Sequence, residues 1–256
     1  MQPPLPLSCV IISKNEADRI GRCLTSVRPI CSEVLVLDSG SDDDTVSVAR
    51  ALGARVEHQD WLGFAAQKNE AISRSHQPWI LLMDADEWLA DGAERSLRHL
   101  FDTGSIEEAD IWTLKRYNWF LGGRLRRPEK MPRLIRADVR FLPMQVHERL
   151  DLEHKRVRQS DIAIEHNTAR SWEDHLKKQD RYAELWATQR HQDGLRCGAL
   201  SAWTHVIAYW LKSYILRAGF LDGRSGWLFH VAHARAVLRK YRMLHALGKR
   251  PSSAPR

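Results

Sequence analysis

Apolar runs alternate with amphipathic segments over the first third of the chain. Four runs have the length and the lack of alternation typical of strands buried on both faces: residues 7–13, 33–38, 54–58 and 79–84. Segments with apolar residues at helical spacing separate them, at 17–27 and 64–75 among others. Strands that alternate with helices predict an α/β domain with a mostly parallel central sheet flanked by helices.

The pattern changes after residue 110. Short strands are predicted at residues 110–120, 133–136, 139–142 and 162–165, and helices at 92–101 and 172–192. In the tail, residues 199–247 have apolar positions at helical spacing, with a glycine-rich break at 219–226 and a second helix from Trp227. We expect one domain over 1–195, with a nucleotide-binding half (1–110) and an acceptor half (111–195). A helical extension (196–248) and a disordered tail (249–256) would follow.

The net charge of +7 is unevenly distributed along the 256 residues. Residues 1–110 have a net charge of −9, residues 111–189 of +6 and residues 190–256 of +10. A nucleic-acid binder would be the simplest interpretation of a pI near 9.4, but the acidic first part disfavours it. The sequence instead favours a cation-binding site in the acidic part, residues 1–110, and a basic surface for an anionic partner in the C-terminal part.

The tail helices predict a contact with an anionic membrane surface. The second helix has Trp227 and Leu238 on one side and Arg235, Arg239 and Arg242 on another. Such a helix fits an in-plane position on anionic lipid. The alternative is a helical hairpin that packs on the core or on another subunit.

The remaining signals predict a cytoplasmic protein, peripheral on the inner face of the cytoplasmic membrane. The four cysteines have no C-x-x-C spacing, which favours reduced thiols. The first residues lack the basic and apolar regions of a signal peptide, and no apolar run is long enough for a simple spanning helix.

Polar side chains follow three of the predicted parallel strands, namely Asn15 and Glu16, Asp38, and then Asp84 and Asp86. The carboxyl ends of parallel strands meet at one edge of a sheet, where ligands bind. Asp84 and Asp86 are two positions apart, and in an extended chain such residues point to the same face. Both can therefore bind one divalent cation that also holds a phosphate. Taken alone, this pair would more often be a polar strand end before a helix cap at Asp91. Because neither a P-loop nor a G-x-G-x-x-G motif is present, P-loop NTPases and dinucleotide dehydrogenases are disfavoured.

Four motifs occur in order: Ser-Lys-Asn-Glu at the end of the first strand (13–16), Asp-Ser-Gly-Ser-x-Asp-x-Thr (38–45), Gln-Lys-Asn (67–69) and Asp-Ala-Asp (84–86). With them the chain resembles family 2 glycosyltransferases, which have the GT-A (Rossmann-like) fold. It is most similar to the lipopolysaccharide-core subgroup typified by WaaE/KdtX. The features shared with that subgroup are Tyr-Asn-Trp-Phe with Gly-Gly (117–123), Val-His-Glu (146–148) and Gly-Phe-Leu-Asp-Gly-x-x-Gly (219–226).

The resemblance implies roles for individual residues. It implies nucleotide or substrate binding by Asn15, Glu16, Asp38, Lys68, Asn69 and Asp84. Asp86, together with Asp84, would bind Mg²⁺ or Mn²⁺, and His166 and His147 are further candidates for a metal or phosphate contact. Glu148 would be the general base of an inverting transfer. Its His-Glu context departs from the Asp or Glu-Asp that many members have, which leaves the base less certain than the metal site.

The resulting hypothesis is a metal-dependent inverting glycosyltransferase. It would move a sugar from a nucleotide-sugar donor to a lipid-linked or lipopolysaccharide-core saccharide. One alternative is a sugar nucleotidyltransferase, although its glycine-rich basic loop is replaced here by Ser-Lys-Asn-Glu. The other is a non-catalytic, membrane-recruited nucleotide-sugar-binding protein, which would have no need of a base.

Overall fold

The computed structural model describes residues 2–142 and 149–249. The chain forms two compact units: Met1–Tyr117 with Pro128–His166, and Asn118–Arg127 with Asn167–Arg256. Each unit is described separately below. The boundary predicted at residue 195 stays a prediction.

The first unit begins with four parallel strands in the order β3-β2-β1-β4. They are β1 (Leu5–Ser13), β2 (Cys31–Asp38), β3 (Arg55–His58) and β4 (Trp79–Asp84). The connections contain α1 (Ile20–Val27), α2 (Thr45–Ala51) and α3 (Phe64–Ser73). β1 lies between β2 and β4, with Ser13 opposite Asp38 and Ile12 opposite Asp84. This register brings the three polar strand ends to one edge, as predicted.

The central strands are apolar on both faces because each face packs against its own hydrophobic cluster. On β1, Cys9 and Ile11 belong to one cluster and Val10 to the other. Cys9, Cys23 and Cys31 are buried free thiols, and burial raises their pKa values.

The sheet continues beyond β4 in the order β8-β6-β9-β5, and β7 pairs with β6. These strands are β5 (Glu87–Leu89), β6 (Ile111–Phe120), β7 (Gly123–Arg124), β8 (Glu129–Arg136) and β9 (Val157–Asn167). Helix α4 (Ala93–Asp102) and a 3₁₀ turn (Ser105–Glu108) precede β6. β8 is antiparallel to β4, and β5 is antiparallel to β9 with Glu87 opposite His166. Residues distant in sequence therefore reach the edge that Asp84 and Asp86 occupy.

Two predicted segments differ from the structure. The strand predicted at 139–142 is wrong, because the chain turns at Val139, whose N–H donates to the Arg136 carbonyl (3.0 Å). Phe141 forms an isolated bridge to Leu150 there, which does not extend into a strand among the described residues. The second tail helix begins at Gly223 rather than Trp227, so the last glycines of the break are helical.

The helices of the second unit are α5 (Trp172–Gln192), α6 (Ser201–Tyr209) and α7 (Gly223–Lys249). α6 continues into a π-helical segment (Trp210–Leu216), and a 3₁₀ turn (Gly219–Asp222) precedes α7. A side chain at position 219 would clash, because a Cβ on Gly219 would lie 2.3 Å from His230 Nε2. The predicted break is therefore a tight packing point.

Part of the basic face predicted for α7 is used within the second unit. Asp180 on α5 accepts from both terminal nitrogens of Arg235 (2.8 and 3.0 Å) and lies 3.4 Å from Arg239 Nε. These two arginines brace α7 against α5. Of the helices in the described ranges, none combines the length and the apolar character needed to cross a bilayer.

Candidate active site

The loops after β1 and β2 are joined by hydrogen bonds. The Asn15 N–H donates to Ser41 Oγ (2.9 Å), and Asn15 Oδ1 accepts from the Asp42 N–H (2.9 Å). The Glu16 N–H donates to Thr45 Oγ1 (2.8 Å). Asn15 has a φ of 56°, a conformation that asparagine tolerates better than most residues. The predicted nucleoside-binding residues Asn15 and Glu16 therefore lie on a loop that the next strand's loop holds in place.

Asp38 organises the turn that follows β2. Its side chain is buried, with Oδ1 accepting from the N–H groups of Gly40 (3.1 Å) and Ser41 (2.8 Å). Oδ2 accepts from the hydroxyls of Ser13 (3.0 Å) and Ser41 (2.5 Å). Four donors thus stabilise this carboxylate inside the protein, and its contact with a nucleoside stays a prediction.

Asp84, at the end of β4, lies between two cations. Its Oδ1 is 3.5 Å from Lys68 Nζ on α3, and its Oδ2 accepts from Arg133 Nη2 on β8 at 2.7 Å. Burial by itself would raise the pKa of this carboxyl, but Arg133 and Lys68 hold it well below its usual range. Asp84 is therefore an ionised carboxylate that is already neutralised on both oxygens.

Glu87 was assigned no role from the sequence, yet it is the most enclosed carboxylate at this edge, at 0% exposure. Its Oε1 accepts from Arg133 (2.5 Å) and from Arg116 on β6 (3.2 Å), while Oε2 accepts from the Asp84 N–H (3.0 Å). Burial and the neighbouring Asp84 raise the pKa of Glu87, and Arg133 opposes that rise. The sequence signal that could have identified Glu87 is its position as a third carboxylate directly after Asp-Ala-Asp, at the first residue of β5.

Asp86 has a second set of basic neighbours. Its Oδ2 lies 3.3 Å from Arg19 Nη1 and 3.4 Å from His166 Nε2. Arg19 also binds Glu16, with Nη2 2.8 Å from Oε2. Burial raises the pKa of Asp86, but His166 and Arg19 outweigh it and the pKa is lowered. Three residues singled out in the sequence (Glu16, Asp86 and His166) are thus brought together, and Arg19 is the link that the sequence did not reveal.

Asn69 uses its amide to hold the chain just before residue 143. Its Nδ2 donates to the Phe141 carbonyl (2.9 Å), and its Oδ1 accepts from the Phe141 N–H (2.8 Å). The Leu142 N–H donates to the Arg149 carbonyl at 2.8 Å. The predicted base Glu148 and its neighbour His147 lie outside the described residues.

The donor set at this edge fits a divalent cation only in part. Asp86 Oδ2 lies 3.3 Å from Arg19 Nη1 and 3.4 Å from His166 Nε2, and Asp84 contacts Lys68 and Arg133, so each carboxylate already has two basic neighbours. Across residues 2–142 and 149–249, no group of three or more His, Cys, Asp or Glu side chains is arranged to hold a metal. Mg²⁺ sites, however, commonly use one or two carboxylates completed by substrate phosphates and water. Asp86, with His166, could hold such an ion.

Comparison with known proteins identifies the family. Residues 8–170 match the model of Glycosyl transferase family 2. An uncharacterized glycosyltransferase of Rickettsia prowazekii (strain Madrid E) is 28% identical over 244 residues, which cover 90% of this chain and 83% of that one. The lipopolysaccharide core biosynthesis glycosyltransferase LpsC of Rhizobium meliloti (strain 1021) is 26% identical, covering 98% and 97% of the two chains.

Two solved structures are also similar. S. aureus TarS 1-349 is 13% identical, with a TM-score of 0.48 over 96% of this chain and 92% of that chain. Glucosyl-3-phosphoglycerate synthase of Mycobacterium tuberculosis, solved with Mn²⁺ and uridine diphosphate, is 25% identical, with a TM-score of 0.35 over 44% of each chain. The family match and the observed sheet agree with the α/β, GT-A fold class predicted from the sequence. The chain belongs to glycosyl transferase family 2.

Proposed function

We propose that this protein transfers a sugar from a nucleotide-sugar donor to a saccharide acceptor with inversion at the anomeric carbon. The observation that supports the proposal most is the pair Asp84 and Asp86 at the end of β4, each flanked by basic side chains from other elements. A diphosphate brings negative charge to such an edge, and Lys68, Arg133 and Arg19 are the cations near it.

The donor would lie across the carboxyl ends of β1, β2 and β4. The interlocked loops containing Asn15, Glu16 and Asp38 would bind the nucleoside, and Lys68 would lie near the diphosphate. Asp86, together with Asp84 and His166, is proposed to hold Mg²⁺ or Mn²⁺. When bound, such an ion would stabilise negative charge on the departing nucleoside diphosphate.

Glu148 is proposed as the general base that accepts the proton of the acceptor hydroxyl. A carboxylate on the acceptor side suits direct displacement of the nucleoside diphosphate, which inverts the anomeric configuration. An α-linked donor would then yield a β-glycoside. LpsC is described as acting in lipopolysaccharide core biosynthesis, and by that likeness the acceptor is proposed to be a lipid-linked or lipopolysaccharide-core saccharide.

Loss of metal-dependent donor binding is expected from Asp86→Ala. The substitution removes the carboxylate proposed to hold the cation and leaves Asp84 neutralised by Lys68 and Arg133. We expect donor affinity in Mn²⁺ to fall at least about tenfold, or about 1.4 kcal/mol, by calorimetry with a panel of sugar nucleotides.

The matched control for this measurement is Asp91→Ala, which removes an exposed carboxylate seven positions from Asp84. It is expected to bind donor as the unmodified chain does. Tight, Mn²⁺-stimulated donor binding by Asp86→Ala would refute the metal assignment.

We further propose that the second unit docks on the inner face of the cytoplasmic membrane. Large apolar side chains are exposed at intervals of three or four residues from the residue that precedes α6 to the π-helical segment, namely Leu200, Trp203, Ile207, Leu211 and Ile215. Repetition at this spacing produces one apolar stripe, which suits an in-plane position in a lipid interface. Basic residues on the same unit suit anionic lipid.

Removing two side chains from this stripe is expected to weaken membrane binding. Leu211 and Ile215 are 51% and 54% exposed, so Leu211→Ser with Ile215→Ser should leave the fold intact. Each buried aliphatic side chain contributes about 1.5–3 kcal/mol, so binding to phosphatidylglycerol vesicles should fall at least about tenfold in flotation. Leu152→Ser, at a position 55% exposed in the first unit, is the control. Equal flotation of both variants would refute the docking face.

A further inference from the structure

The second unit contains a cavity of about 420 Å³ that the proposed transfer does not use. It is walled by residues of α5, α6, the π-helical segment and α7. Binding sites for small ligands span roughly 300–1,000 Å³, so this cavity can receive a ligand group the size of a lipid headgroup.

The charged side chains that line the cavity are all basic: Lys212, Arg217 and Lys240. Within the described ranges, none of the three forms an ion pair, whereas Arg235 and Arg239 on the same unit both form ion pairs with Asp180. Lys240 is partly buried, and burial lowers its pKa. Lys212 and Arg217 are exposed, so of the three only Lys240 is partly withdrawn from water. Withdrawing this cation from water without a counter-charge is unfavourable, so an anion in the cavity would stabilise it.

Aromatic rings form the rest of the wall. Trp186 and Tyr241 have ring centroids 5.1 Å apart, and His205 stacks on Tyr241 at 3.8 Å with an angle of 8° between the planes. Lys240 Nζ lies 5.6 Å from the Trp186 ring centroid, within the range of a cation–π contact. The rings come from three different helices, so they define the shape of the cavity and orient the cation.

The cavity and the apolar stripe draw residues from the same π-helical segment. The π-helical segment that contributes Lys212 to the cavity also presents Leu211 and Ile215 to solvent. A ligand with both an anionic headgroup and an acyl chain would satisfy these two surfaces together, which free phosphate would not.

We propose that this cavity binds the phosphate headgroup of an anionic phospholipid, whose acyl chains extend over the stripe of Ile207, Leu211 and Ile215. The proposal rests on the proposed membrane docking of the second unit and adds a specific headgroup site to it. Docking by the stripe alone would respond to lipid packing and overall charge. A headgroup site makes binding depend on particular cations at matched total charge.

The test is calorimetric titration of the full chain with dihexanoyl phosphatidylglycerol below its micelle concentration. We expect saturable binding, and an affinity at least about tenfold lower for Lys212→Gln with Lys240→Gln. Lys177→Gln with Lys178→Gln is the matched control, because it removes the same charge from exposed positions on α5. It should bind as the unmodified chain does. Ser213→Asp, which places a carboxylate on the cavity wall, should also abolish binding.

Dihexanoyl phosphatidylcholine and inorganic phosphate separate the sources of binding. The proposal predicts weaker binding of phosphatidylcholine and weak competition by phosphate. Equal losses in the two double variants would overturn it, as would equal affinity for phosphatidylcholine. Phosphate that binds more tightly than phosphatidylglycerol would also overturn it and would indicate a site for free phosphate. Sugar-nucleotide hydrolysis measured on the same preparations reports on the donor site separately, so a failure of lipid binding with hydrolysis retained would overturn the headgroup site and leave the proposed transfer standing.

Discussion

Glu148→Gln is expected to lower sugar transfer at least about 100-fold while donor affinity stays within about twofold, because general-base catalysis typically contributes about 10²–10⁴-fold. Glutamine keeps the size of the side chain but cannot accept the proton. Initial rates of transfer and calorimetric donor binding on the same preparations measure the two effects.

The described residues that flank 143–148 are connected to the residues at the end of β4. Phe141 and Leu150 are bridged to each other, and both backbone groups of Phe141 are bonded to Asn69 on α3. Lys68, which precedes Asn69 on α3, contacts Asp84. One helix therefore links the chain segment that leads to Glu148 with the carboxylate at the end of β4.

Two further variants sharpen the assignment of the base. Glu153→Gln, at an exposed position five residues later, is the control and should transfer normally. Asn69→Ala removes two hydrogen bonds to the Phe141 backbone, each contributing about 0.5–1.5 kcal/mol, and should reduce transfer more than donor binding. Near-normal turnover by Glu148→Gln would show that another group is the base.

Arg133→Met is expected to lower the free energy of unfolding by about 3–5 kcal/mol, because it leaves the buried Glu87 carboxylate, and the partly exposed Asp84 beside it, without their shared partner. Arg133 is 4% exposed and Glu87 is 0% exposed. Arg133 Nη2 donates to both Asp84 and Glu87. Urea unfolding followed by circular dichroism measures the loss. Donor binding should also weaken, since Asp84 would no longer be held in position.

A double-mutant cycle tests whether the loss of stability in Arg133→Met is caused by the Glu87 carboxylate that is left without a counter-charge. Glu87→Gln combined with Arg133→Met should be less destabilising than the sum of the single changes, because no ionised Glu87 is then left buried. Arg136→Met is the matched control on the same strand. Arg136 is partly exposed and pairs with Glu107, so its loss should cost about 1 kcal/mol or less. Equal effects of Arg133→Met and Arg136→Met would contradict the role of the buried cluster.

Much of the first unit was predictable from local pattern. Strands β1, β2 and β4 are short and apolar on both faces, and the polar residues that end them meet because parallel strands share one edge. Asp84 and Asp86 were grouped with Asn15, Glu16 and Asp38 on that ground. The predicted strand at 139–142 was wrong because three apolar residues around Arg140 carry no information on whether a partner strand is within reach.

The sequence by itself thus determined the fold class, the family and the edge of the sheet on which the acidic residues lie. Only the tertiary structure decided which charges neutralise them. Arg133 reaches Asp84 from 49 residues away, and Arg19 reaches Asp86 from 67 residues away, through strand pairings that no local periodicity records. The tertiary structure also decided the partner of Arg235 and Arg239, two arginines predicted to face lipid, because both form ion pairs with Asp180. This pairing distinguishes them from the cations of the cavity. Backbone periodicity is a property of neighbouring residues, whereas charge compensation depends on which distant side chains the fold brings within a few ångströms.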